Sequence, residues 1–229
     1  MSNDPIGIIG AMQIEIEGLK AAMTDVTEEV ISGITFTKGL LEGKQVVCAV
    51  CGVGKVFAAI AAQTMILRYA PRALLNTGVA GGLADGLCVG DVVLADHVVQ
   101  HDMDTSPLGD PVGLLSGINI VRIPTDGALL TALDAASRAV GLTPRIGTVA
   151  TGDQFIASDT QKHRLREQFD AAACEMEGGA IGHVAYVNHV PFAVLRAISD
   201  GGDGMEFSEF VTLAAKHSVA VTKEFVKRI

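Results

Sequence analysis

A chain of 229 residues, 49% hydrophobic and without tryptophan, has room for an aliphatic core, and the lack of a long polar linker argues for a single domain over 1–229. A formal net charge of −9 disfavours a generic nucleic-acid surface, and no uninterrupted apolar run reaches the roughly 18 residues of a membrane span. The start MSNDPIG has no basic segment before an apolar one, and CAVC at 48–51 has no second CxxC to complete a zinc site, so a reduced, cytoplasmic chain is expected.

Ile6–Ile9 reads as a buried strand ending at Gly10-Ala11, and a helix follows from about Gln13 to Met23 with Glu15 in its first turn. Residues 34–40 and 45–50 flank EGK and read as a hairpin. Cys48 and Cys51 fall in VVCAVCG, where cysteine serves as a small hydrophobe. The segment GVGKVFAA (52–59) is not a Walker A loop, because Val56 stands where Ser or Thr is needed. Gly52 and Gly54 turn the chain into a helix that runs to Pro71, and their amides at its start are candidates to face a ligand.

Residues 73–76 form a short strand before TGVAGGL, read as a turn whose backbone at Ala80 and Gly81 offers a floor for a flat ligand. A strand over 91–99 leads into a long loop at 101–117, HDMDTSPLGDPVGLLSG. Thr125-Asp126 is placed to cap a helix that reaches Val140 and stops at Gly141. A strand at 146–150 precedes TGDQF, where Asp153 anchors the turn, and a helix covers 161–169. Residues 171–174 lead into Glu175-Met176-Glu177, a helix covers 178–188, and a strand at 192–198 ends in Ser199-Asp200. The last helix, about 206–227, brings Phe207, Phe210, Ala214, Val221 and Phe225 towards one face. Helices alternate with strands and the hairpin breaks a purely parallel order, so the expected α/β fold is three-layered, a mixed central sheet flanked by helices.

Three strand ends thus offer carboxylates to one crevice: Glu15, the pair Glu175 and Glu177, and Asp200. That pattern suits proton transfer on a polar organic substrate. Arg196 lies inside an apolar strand and needs a partner, expected to be Glu175 or Glu177. The six histidines show no metal spacing, and no cofactor motif is present.

The segments IGIIGAM..E (6–15), CGVGKVFAA (51–59), NTGVAGGL (76–83), GDVV (90–93), HDMD (101–104), TGDQFI (151–156), EMEGGAIGHVA (175–185) and VPFAVLRAISD (190–200) occur in one order across almost the whole chain. Together they resemble the 5'-methylthioadenosine/S-adenosylhomocysteine nucleosidase family of the nucleoside phosphorylase superfamily. The resemblance implies a nucleoside phosphorylase-like fold and hydrolysis of the N-glycosidic bond of 5'-thioadenosine nucleosides, with 5'-deoxyadenosine as a further substrate. By resemblance Glu15 activates water, and Asp200, held by Ser199, protonates purine N7. Glu177 binds the ribose 2'-hydroxyl, with Met176 beside the sugar. Phe155 stacks on adenine and the Ile156 backbone meets the purine edge. Met12, Val53 and Phe207 line the 5'-alkylthio pocket. Glu175 belongs to the same substrate-site set, with a role as a structural or surface acid favoured for its carboxylate. The implied partners are the small-molecule substrate, water and a second copy in a homodimer, with no cofactor, nucleic acid or membrane.

Two positions depart from the family pattern: Val79, where Ser is frequent, and Thr105–Leu108, where the lid is commonly aromatic. The rival classes are a phosphate-dependent purine nucleoside phosphorylase, a nucleosidase for futalosine-like or nucleotide substrates, and a non-catalytic nucleoside-binding protein. Phosphate needs cationic or amide-rich clamps, and the first loop offers Glu15 instead of Arg.

Overall fold

The inner strands are aliphatic on both faces, as a sheet covered by helices on each side requires. The computed structural model describes residues 4–200 and 207–229, with backbone alone at Asp200 and 207–209. Its strands are β1 (Ile6–Gly10), β2 (Thr24–Ile31), β3 (Ile34–Leu41), β4 (Lys44–Val50), β5 (Ala73–Gly82), β6 (Val92–Gln100), β7 (Ile123–Pro124), β8 (Arg145–Thr151), β9 (Ala171–Glu175) and β10 (Phe192–Asp200). Its helices are α1 (Gln13–Lys20), α2 (Lys55–Tyr69), α3 (Gly127–Ala139), α4 (Asp159–Phe169), α5 (Gly178–Val187) and α6 (Phe207–Arg228).

The strands join in the order β10-β6-β8-β9-β5-β1-β4-β3-β2, and β10 also pairs with β5. One half of the mixed sheet therefore closes into a ring of β5, β10, β6, β8 and β9, while β1, β4, β3 and β2 continue from β5 as an open wing. The length of β5 makes both possible. Its first half pairs with β1, and Gly81 and Gly82 at its end pair with β9.

Alternation along β1 feeds two cores. Ile9 packs with Ala58, Ala61 and Met65 of α2 and Ile181 of α5. Ile6 and Ile8 face the opposite side, with Ile16 and Leu19 of α1, Leu133 of α3, and Val221 and Phe225 of α6. Asp126 caps α3 by accepting the N–H groups of Ala128 and Leu129, as the spacing predicts. The long loop after β6 carries one short 3-10 turn at Ser106–Leu108 and a single bridge between Leu115 and Ile120.

Three expectations are corrected. TGVAGG is not a turn but the second half of β5, held on both edges by neighbouring strands. The first helix ends at Lys20, not Met23. An unforeseen strand, β2, follows it; its TDVTEEVI is largely exposed and relies on backbone pairing with β3. Such a strand has no apolar alternation to read, and its Asp25, Glu28 and Glu29 guard an open sheet edge.

Candidate active site

The carboxyl ends of β1, β5, β8, β9 and β10 converge on a cavity of about 210 Å³. The lining includes Met12, Glu15, Val53, Ala80, Gly81, Phe155, Ile156, Glu175, Met176, Glu177 and Ser199, all sequence candidates. The remaining two, Asp200 and Phe207, end β10 and open α6, and their side chains lie outside the described residues. The pairing register slips between Ile198 and Asp200, so Ser199 is the extra residue of a bulge. Its hydroxyl donates to the Ala80 carbonyl at 3.4 Å. Ala11, Gln154 and Cys174 also line the cavity and were not foreseen; Ala11, inside IGIIGAM, and Gln154, inside TGDQFI, carried a sequence signal. Val79, noted only as a departure, joins them.

Glu15 is 1% exposed. Its Oε2 accepts the N–H groups of Ala11 and Met12 at 2.8 Å each, and its Oε1 accepts that of Val79 at 2.9 Å. Position N3 of α1 explains the first contacts, because a helix start leaves donors without partners. Burial raises its pKa, with Arg196 and the three amides opposing. The result is a fixed carboxylate more basic than an exposed glutamate, which suits a proton acceptor.

Arg196 is fully buried and gathers the other acids. One of its amino groups, Nη2, donates to Glu175 Oε2 and Asn76 Oδ1, and lies 3.6 Å from Glu177 Oε2. Glu175 is therefore a buried hub rather than a surface acid. The same Oε2 accepts the N–H groups of Glu177 at 3.0 Å and Gly178 at 2.7 Å, closing the start of α5, while Oε1 accepts the Thr151 hydroxyl. Gly78 lies beneath this network. A Cβ there would sit well inside contact distance of Glu15 Oε1 and Arg196 Nη1, so only glycine lets strand and acids approach so closely.

Glu177 accepts the Gly54 N–H at 3.0 Å. The Gly52 N–H donates to the Ala11 carbonyl, so both glycine amides serve protein acceptors. Burial and the nearby Glu175 push the Glu177 pKa up to about 7, against the pull of Arg196 and the Gly54 amide. Three carboxylates thus share one guanidinium, and the cavity has a surplus of negative charge.

That surplus has a cost that depends on pH. The folded protein holds the Glu177 proton to about 7, the unfolded chain only to 4.5. Stability from this group is complete below 4.5 and falls as pH rises through about 7. At about 1.4 kcal/mol per unit the loss approaches roughly 3 kcal/mol. Urea unfolding between pH 5 and 8 should show this decline in the wild type, and a much flatter profile in Glu177→Gln.

Phe155 stands at the rim, 64% exposed, above Ile156, which is 7% exposed. Asp153 accepts the Lys55 N–H, so it anchors its turn as expected and ties it to α2. Asp104 accepts the Ser106 N–H and caps the short turn. Cys48 and Cys51 are buried, with burial pushing both thiols up to about 12, which leaves them protonated. Among the described residues no group of three or more His, Cys, Asp or Glu is arranged to hold a metal ion, and no helix is long and apolar enough to cross a membrane.

The family model described as the Phosphorylase superfamily matches residues 5–227. A 5'-methylthioadenosine/S-adenosylhomocysteine nucleosidase of Shewanella sediminis is 39% identical, over 98% of this chain and 99% of that protein. The nucleosidase of that name from Neisseria meningitidis, solved in complex with methylthio-immucillin-A, superposes with a TM-score of 0.95 at 35% identity, covering 99% of this chain and all of that one. The futalosine hydrolase of Helicobacter pylori superposes with a TM-score of 0.94 at 33% identity, covering 99% of this chain and 98% of that one. With strand order, cavity and acid cluster in place, the chain belongs to the 5'-methylthioadenosine/S-adenosylhomocysteine nucleosidase family of the phosphorylase superfamily.

Proposed function

We propose that the protein hydrolyses the N-glycosidic bond of 5'-methylthioadenosine, S-adenosylhomocysteine and 5'-deoxyadenosine, releasing adenine. The observation that carries this reading is Glu15, a buried, amide-held carboxylate at the cavity wall where a phosphorylase would need a cation. No Lys or Arg lines the cavity among the described residues, and the Arg196 guanidinium is engaged by Glu175.

In this reading Glu15 takes a proton from the attacking water. Asp200 donates one to purine N7, so that adenine leaves as a neutral base, and Ser199 steadies that end of the strand. Glu177 accepts the ribose 2'-hydroxyl and, with Glu15, provides negative charge as the sugar becomes cationic. Phe155 covers the adenine, the Ile156 backbone meets its edge, and Met176 lies against the sugar. Glu175 supports the site through Arg196 and the start of α5. Met12, Val53 and Phe207 form the 5' end, whose apolar character suits a thioether and not a phosphate.

The chain is further inferred to pair with a second copy. The exposed apolar stripe Val56, Ile60 and Leu67 on α2, with Phe57 beside it, supports this reading, and a monomer mass by light scattering would count against it. A substrate panel tests the function. Adenine release should be fast from 5'-alkylthio- and 5'-deoxyadenosine and negligible from adenosine 5'-phosphate; the reverse order would refute the assignment.

A further inference from the structure

Three loops that flank the cavity are tied together by side chains that do not line it. Lys55 opens α2, and its Nζ lies 2.6 Å from Asp102 Oδ1, after β6. The Lys55 N–H donates to Asp153 Oδ1 at 2.8 Å, and the Asp153 N–H, after β8, donates to Asp102 Oδ2 at 2.9 Å. The Lys55 and Asp102 side chains are 19% and 15% exposed, so water screens the pair only in part.

What this clasp adjoins gives it a consequence. Gly54, immediately before Lys55, donates its N–H to Glu177. Its φ of 102° lies in the region that favours glycine, and a Cβ there would stand 3.1 Å from Asp153 Oδ1. Immediately after Asp153 come Gln154, Phe155 and Ile156, which wall the cavity. One ion pair with two amide hydrogen bonds therefore fixes both the donor on Glu177 and the opposite wall.

We propose that Lys55 and Asp102 are positioning residues whose ion pair, closed through Asp153, aims the Gly54 amide at Glu177 and sets the height of the 154–156 wall. Neither side chain lines the cavity. The inference rests on the hydrolase reading for its effect on rate, but not for its effect on Glu177. Besides the Gly54 amide, Glu177 is faced by Glu175 from β9, Arg196 from β10, Glu15 from α1 and Cys51 after β4. Asp102 has His101 beside it. Burial raises the Asp102 pKa, but Lys55 and the Asp153 N–H outweigh it and hold the acid below its ordinary value, so Asp102 stays ionised through neutral pH.

The test follows the Gly54 amide resonance against pH, without substrate, in wild type, Asp102→Asn, Lys55→Met and Lys55→Arg. In the wild type the amide should titrate with Glu177, near pH 7. In Asp102→Asn and Lys55→Met the midpoint should rise by about one unit as the carboxylate loses a well-aimed donor. Lys55→Arg, which keeps the charge, should stay near the wild type. Turnover per KM should fall by about 10- to 100-fold in the first two, and the double variant should be no worse than the poorer single. An unmoved midpoint, with turnover within about twofold of wild type, overturns the proposal.

Hydrogen exchange supplies a check that needs no variant. The Gly54 and Asp153 amides should be protected to a similar degree, since one clasp holds both, and free exchange at Asp153 would also overturn it. A wild type that releases no adenine from any nucleoside sinks the hydrolase reading alone and leaves the resonance and exchange results to decide the clasp.

Discussion

Glu15→Gln should lower turnover by at least about 10²-fold while the KM for a 5'-thioadenosine changes little. The side chain keeps its size, but no longer accepts a proton from water. A second effect comes from the hydrogen bonds. Glu15 accepts amides on both oxygens, from Ala11 and Met12 on one and Val79 on the other. Gln has one carbonyl oxygen, so in either orientation its NH₂ faces a backbone N–H. That mismatch costs about 1–3 kcal/mol, against which the removal of a buried charge is favourable. Steady-state kinetics beside thermal melts separates the two effects. A folded Gln variant with near-normal turnover would remove Glu15 from the chemistry.

Arg196→Met should be the most damaging single change to the fold. The guanidinium has no exposure and stands among Glu175, Glu177 and Glu15. Removing it leaves buried acids without a counter-charge, which typically costs about 3–5 kcal/mol. The sign of its pH dependence is diagnostic. Without Arg196 the acids hold their protons to higher pH in the folded protein than in the unfolded chain. The deficit should therefore be smallest below pH 4.5, where both states are protonated, and grow as pH rises through 7 and beyond. Urea unfolding at pH 5 and pH 8 measures it. An equal deficit at the two pH values would mean that Arg196 acts through packing alone.

Most of the site was legible because its residues cluster next to apolar strands in the chain. Glu15 lies just past β1, Glu175 to Glu177 at the end of β9, and Ser199-Asp200 at the end of β10, where ligands gather in α/β sheets. Arg196 also announced itself, since an ionised group in a run such as FAVLRAI needs an acid.

What escaped notice depends on long-range pairing. TGVAGG looks like a turn until β10 and β9 are laid along its edges. β2 carries polar residues on both faces, and only its ladder with β3 makes it a strand. The clasp joins Lys55 to residues 47 and 98 positions away, a distance over which no spacing rule operates. Glu175 was read as a structural or surface acid; the structural half of that reading holds, and its burial depends on contacts with Thr151 and Arg196 that arise only when β8, β9 and β10 lie side by side.

The central claim is that water, activated at Glu15, is the attacking group. It is tested most directly by turning over 5'-methylthioadenosine in oxygen-18 water, with and without inorganic phosphate, and analysing the sugar product. The expected result is one oxygen-18 at the anomeric carbon for each adenine released, at a rate that phosphate does not change. A sugar 1-phosphate, or adenine release that requires phosphate, would contradict the account.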